Sequence, residues 1–84
     1  MSRHSPETYA RMFDALLSEE LCYSSAFASE ENIRTAIKRV LGRAIKMDSI
    51  LLYQDLTIDS LLNVHFTIKD PDGDLIPITL IYGG

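Results

Sequence analysis

The feature that most constrains this chain is a change of hydrophobic period close to residue 47. Before it, apolar residues recur at helical spacing: Tyr9, Met12, Phe13, Leu16 and Leu17, then Ile33, Ala36, Ile37, Val40, Leu41 and Ala44. After it they recur at every second residue: Leu62, Val64, Phe66 and Ile68, then Ile76, Ile78, Leu80 and Tyr82. Steps of three and four line one side of an α-helix, and steps of two line one side of a β-strand. Helices and strands are therefore segregated along the chain. The expected fold is α+β: two N-terminal helices packed on one face of a three-stranded antiparallel β-meander (α-α-β-β-β), forming a single domain over residues 1–84.

Local signals place the elements. Ser5 is a suitable N-cap for the first helix, followed by Pro6 at the first helical position and Glu7 in the first turn. Glu20 falls on the apolar stripe, so this helix is expected to end or turn near residues 19–22. "YSSAFA" then connects, with Phe27 covering the core. Ser29 caps the second helix, whose Glu30 and Glu31 suit its positive end. Gly42 either costs that helix about 1 kcal/mol relative to Ala or ends it early. "SILLYQDL" reads as a first strand, and "DPDGD" as a turn in which Pro71 presets φ and Gly73 takes positive φ. Pro77 cannot donate to a ladder, so the last strand belongs at an edge.

A domain of 84 residues is small; at this size only roughly 60% of the unfolded chain's surface is buried. Self-association or a bound partner would add stability. The one cysteine, Cys22, permits no internal disulfide and fits a reduced, cytoplasmic setting. "MSRHSPETYARMF" lacks the apolar run of a signal peptide, and no stretch approaches a membrane span. The net charge of −4 is unevenly spread. Arg34, Lys38, Arg39, Arg43 and Lys46 give +5 between residues 32 and 46, while Arg3, Arg11 and Lys69 against twelve carboxylates give +3 − 12 = −9 elsewhere.

Four motifs suggest chemistry. In "QDLTIDSLLNV", Asp55, Leu56, Asp59, Ser60, Leu61 and Val64 resemble the Asp-Leu-Gly-x-Asp-Ser-Leu-x-x-Val signature of acyl and peptidyl carrier proteins. The resemblance implies a phosphopantetheine arm on Ser60 and a long helix after it. Thr57 stands where that family has Gly, and residues 63–69 alternate at period 2, so the reading preferred here is an Asp/Ser turn entering a strand. Asp70, Asp72 and Asp74 match the first half of an EF-hand loop. Leu75 and Ile81 occupy the places of its Gly and its bidentate Glu, which favours a plain turn. The terminal Gly83-Gly84 is similar to ubiquitin-like tails, although the chain opens with helices and those proteins open with a hairpin. A frayed end is the preferred reading. Finally, His4 and His65 are the only histidines, and a Cys22–His65 pair has no nucleophile motif behind it. No enzyme, metal or cofactor is expected.

The expected function is that of a small intracellular interaction module, an inhibitor or adaptor by analogy with antitoxins, immunity proteins and phage-encoded anti-defence proteins. It would bind a protein partner or a second copy. Two surfaces are candidates. One is the basic side of helix 2, carrying Arg34, Lys38, Arg39 and Arg43, which also suits nucleic acid. The other is the uncovered face of the sheet, where Tyr53, His65, Thr67 and Thr79 are expected together with Leu51, Asn63, Leu75, Pro77 and Ile81.

Overall fold

A computed structural model describes residues 5–24 and 29–81. Its elements are α1 (Pro6–Ser24), α2 (Glu30–Lys46), β1 (Leu52–Ile58), β2 (Val64–Lys69) and β3 (Leu75–Leu80). The strands form one antiparallel sheet in the order β1-β2-β3. This is the α-α-β-β-β arrangement that the change of period implies.

Both helices begin as their caps dictate. Ser5 Oγ accepts from Thr8 N at 3.2 Å, and Ser29 Oγ accepts from Asn32 N at 3.2 Å, each satisfying an otherwise orphaned first-turn donor. The first helix does not stop near Glu20. It continues to Ser24, and Leu21 extends the buried row Tyr9, Phe13 and Leu17. Glu20 lies at the margin of the helix pair, where its carboxylate meets Arg39 at 3.9 Å and Arg43 at 3.5 Å. A charge on the stripe is thus answered from the neighbouring helix. Gly42 does not end α2 either; the helix runs on to Lys46. There Met47 N donates to Arg43 O, Asp48 N to Ile45 O and Ser49 N to Ala44 O. Asp48 takes the left-handed conformation (φ 61°) that closes such a cap.

The core lies between the helices and one face of the sheet. Tyr9, Phe13, Leu17 and Leu21 of α1 join Ile33, Ile37, Val40 and Leu41 of α2 over Val64, Phe66, Ile68, Ile76, Ile78 and Leu80. Phe13 sits at the centre, edge-to-face with Phe66 at 5.4 Å and stacked beside Tyr9 at 6.4 Å. The alternation foreseen for β2 and β3 holds at every described position. Tyr82, Phe27, His4 and the Gly-Gly terminus lie outside the described residues, as does the side chain of Cys22.

Two five-residue loops join the strands, and they share one backbone pattern. In the first, Asp59 N donates to Asn63 O (3.0 Å) and Leu62 N to Asp59 O (3.0 Å); in the second, Asp70 N donates to Asp74 O (2.9 Å) and Gly73 N to Asp70 O (2.9 Å). The fourth residue of each loop is left-handed, with φ 65° at Leu62 and 91° at Gly73. Ser60 occupies the second place of the first loop, the place Pro71 holds in the second. It is exposed, four residues ahead of β2, so it sits in a turn and not at the entry to a strand.

Candidate interaction surface on the open face of the sheet

Because Val64, Phe66 and Ile68 point to the helices, His65, Thr67 and Lys69 point away from them. Register extends this assignment across the sheet. The outward rows are Leu52–Lys69–Leu75, Gln54–Thr67–Pro77 and Thr57–His65–Thr79. No described element covers them, and none of the nine residues is buried. Lys69 alone among the nine carries a full charge, in a chain of which 24% is charged. The opposite exterior differs: α1 exposes Glu7, Arg11, Asp14 and Glu19 in quick succession.

One expected member of this face belongs elsewhere. Tyr53 pairs with Ile68, so its ring lies on the helix side, half-buried against the core. The cause is a β-bulge: Asp55 and Leu56 together oppose Phe66, with Asp55 left-handed at φ 59°. The extra residue reverses the parity of β1. Odd-numbered Tyr53 faces inward before the bulge, and even-numbered Ile58 faces inward after it. Leu52 takes the outward place in β1, while Leu51 precedes the strand, exposed, donating its N–H to Lys69 O at 2.7 Å. Asn63 sits in the first loop, and Ile81 lies just past β3, 71% exposed.

At one end of the face three side chains are linked. His65 Nε2 lies 3.0 Å from Asp59 Oδ2, and His65 Nδ1 lies 3.2 Å from Thr79 Oγ1. The other carboxylate oxygen of Asp59 accepts from Leu61 N (2.9 Å) and Asn63 N (3.0 Å). These contacts hold the Asp59 carboxyl down at a pKa of about 2. The His65 hydrogen bond contributes most and the Asn63 N–H next, against a small opposing effect of desolvation. An ionised carboxylate only accepts, so Nε2 donates to Asp59, while the Thr79 hydroxyl, able to donate or accept, serves Nδ1 on the other side of the ring. The chain therefore ties the first loop to β2 and β3 and fixes the imidazole in the sheet surface. Its order, carboxylate–imidazole–hydroxyl, is that of a nucleophilic triad. Here, however, the Asp59 and His65 side chains stand 38% and 41% exposed on an open sheet, where water competes for every partner.

The basic side of α2 is partly neutralised. Arg34 meets Glu30 at 3.6 Å, and Arg39 and Arg43 share Glu20, leaving Lys38 and Lys46 without a carboxylate partner among the described residues. The helix implied after Ser60 by the carrier resemblance is absent, because residues 64–69 are strand. In the "DPDGD" turn the Asp70 carboxylate faces inward to its own loop, with Oδ1 accepting from Asp72 N (3.1 Å) and Asp74 N (2.8 Å). Among the described residues no group of three His, Cys, Asp or Glu side chains converges on a point where a metal ion would sit.

Reading the sequence alone missed Asp59 as a site residue. Its signal was present as an Asp-x-x-x-Asn/Asp spacing before each of the last two strands, Asp59…Asn63 and Asp70…Asp74. Leu52 and Gln54 were missed for a different reason, since only the bulge decides which side of β1 faces out, whereas Lys69 shares the alternation that turns His65 and Thr67 outward. No family model matches this chain, and no curated protein or solved structure matches it. No helix among the described residues is long and apolar enough to cross a membrane.

Proposed function

We propose that this chain is a non-catalytic interaction module, an inhibitor or adaptor acting inside the cell, that docks a protein on the open face of its sheet. The observation that carries this reading is the uncovered three-row face itself, nearly free of formal charge and flanked by two blunted edges. Pro77 removes a donor from β3, and the Asp55 bulge distorts β1. Both devices discourage a strand from adding at an edge. The sheet's broad side is left as its means of contact. A face of Leu, Pro, Thr, Gln and His with one lysine has few charges to desolvate, whereas the ion-paired side of α2 would have to give up Glu20 and Glu30 first.

Co-purification from the native host tests the reading. Thr67→Arg places a guanidinium at the centre of the face and is expected to abolish capture of the proteins that the wild-type chain retains. The triple reversal Arg34→Glu, Lys38→Glu and Arg43→Glu is expected to leave that capture intact. The opposite pattern moves the interface to α2, and affinity for nucleic acid falling steeply with salt would accompany it if the partner were DNA or RNA.

A further inference from the structure

The free edge of β3 ends in a cleft. Backbone groups along a strand turn alternately to its two sides, and Lys69 O accepts from Leu51 N on the β1 side. Lys69, Thr67 and His65 therefore bond toward β1, and Ile68, Phe66 and Val64 toward β3. Ile76, Ile78 and Leu80 complete that second ladder, so Leu75, Pro77 and Thr79 turn their backbones to the free edge. Pro77 sits there without breaking the ladder, and it keeps a further strand from pairing along the whole edge. Beyond it the N–H and C=O of Thr79 stay open. The Thr79 hydroxyl lies on the open face with His65, so it is the Thr79 backbone that borders the cleft toward α1.

The cleft holds about 260 Å³ and is lined by Ala10, Arg11 and Asp14 of α1 and by Thr79, Leu80 and Ile81. Arg11 and Asp14 are exposed, and neither joins an ion pair among the described residues. Three residues apart on one helix, they stand about 5–6 Å from each other at Cβ. The other charges of α1, Glu7, Glu19 and Glu20, lie outside the lining. One cation, one anion and one open pair of backbone groups thus share a small space whose remaining walls are apolar.

We infer that this cleft binds a free aliphatic α-amino acid. Such a molecule carries an ammonium and a carboxylate on one carbon, the short spacing that Arg11 and Asp14 match. Its carboxylate meets the Arg11 guanidinium and accepts from Thr79 N–H, while its ammonium meets the Asp14 carboxylate and donates to Thr79 C=O. Ala10, Leu80 and Ile81 are left for an aliphatic side chain. A simple carboxylate leaves Asp14 unanswered, an amine leaves Arg11 unanswered, and a peptide holds its charged ends too far apart. The site stands whether or not the open face docks a protein.

So few ligand atoms in an open cleft bind weakly, with a Kd on the order of 1 mM. NMR titration of the isotope-labelled chain with L-leucine, up to about 20 mM, tests the site. Saturable shifts of the Thr79 and Ile81 amides are expected. Isocaproate, which lacks the ammonium, isopentylamine, which lacks the carboxylate, and trileucine are each expected to bind about fivefold more weakly. Arg11→Gln and Asp14→Asn are each expected to weaken L-leucine about fivefold and to leave the thermal transition unchanged. The absence of saturable shifts at Thr79 and Ile81 overturns the site. Isocaproate, isopentylamine or trileucine binding as tightly as L-leucine overturns the free amino acid as its ligand. An unchanged Kd in either variant overturns recognition by the paired charges.

Discussion

The two hairpin loops of this sheet have one backbone and two chemistries. In each, an opening Asp caps two loop N–H groups and the fourth residue is left-handed. In the second loop that residue is Gly73, which adopts φ 91° without a side chain to strain. Its Asp70 is fully buried and caps the loop's own N–H groups. In the first loop the left-handed residue is Leu62, for which the same region costs about 1–2 kcal/mol. Its Asp59 is half-exposed and spends its second oxygen on His65. The second loop combines an unstrained glycine with a buried cap. The first gives up some stability and in return sets an anchored imidazole and an anion at one end of the open face. Strain in one of two otherwise matching loops marks the end of the molecule where function is expected.

Breaking each loop at the same place should expose this difference. Asp70→Ala leaves Asp72 N and Asp74 N without their cap beside a buried carboxylate site, and is expected to destabilise the fold by about 2–3 kcal/mol in urea denaturation. Asp59→Ala removes the equivalent cap from the half-exposed loop and should cost clearly less in the same assay. If the two losses are equal, the loops do not differ as argued.

The fourth positions give a smaller and asymmetric effect. Gly73→Ala is expected to cost about 1 kcal/mol, all of it conformational, because a Cβ there meets nothing within 4 Å. Leu62→Gly relieves the same strain but forfeits the packing of a half-buried side chain against the core, so thermal unfolding should change by less than about 0.5 kcal/mol. A gain above that would mean the Leu62 side chain contributes little packing.

The smallest effect is in acid. Folding lowers the Asp59 pKa from 3.8 to about 2, so its contribution is present above pH 3.8 and disappears as pH falls through about 2. His65→Ala deletes the largest cause of that shift. Titration of the Asp59 carboxyl carbon by NMR should move up toward 3.8 in this variant. An unmoved titration would assign the shift to the loop N–H groups.

The same pair of loops shows which parts of the fold were legible. Pro71 and Gly73 announce the second loop, because each residue type is nearly forced by the backbone it adopts. In the first, Asp59 and Ser60 announce a turn but not its shape: Leu62 is an ordinary apolar residue that continues the alternation of Val64, Phe66 and Ile68, and its positive φ leaves no mark in composition. The bulge at Asp55 is silent for the same reason, and with it the inward side of Tyr53. Helix faces and strand alternation were legible because burial enforces them residue by residue, as Leu17, Ile37 and Ile68 show. The continuation of α1 past Glu20 was not, since it depends on Arg39 and Arg43 from another helix. Of the candidate site, His65, Thr67 and Thr79 followed from alternation alone. Asp59, which orients His65, required knowledge of the loop.

The open face of the sheet, and not the basic side of α2, is the surface on which we propose this protein meets others. A photo-crosslinking residue placed at Thr67, and in a second experiment at Lys38, tests it in living cells. Adducts from position 67, with none from position 38, are the predicted result. Adducts from position 38 with none from position 67 would contradict it.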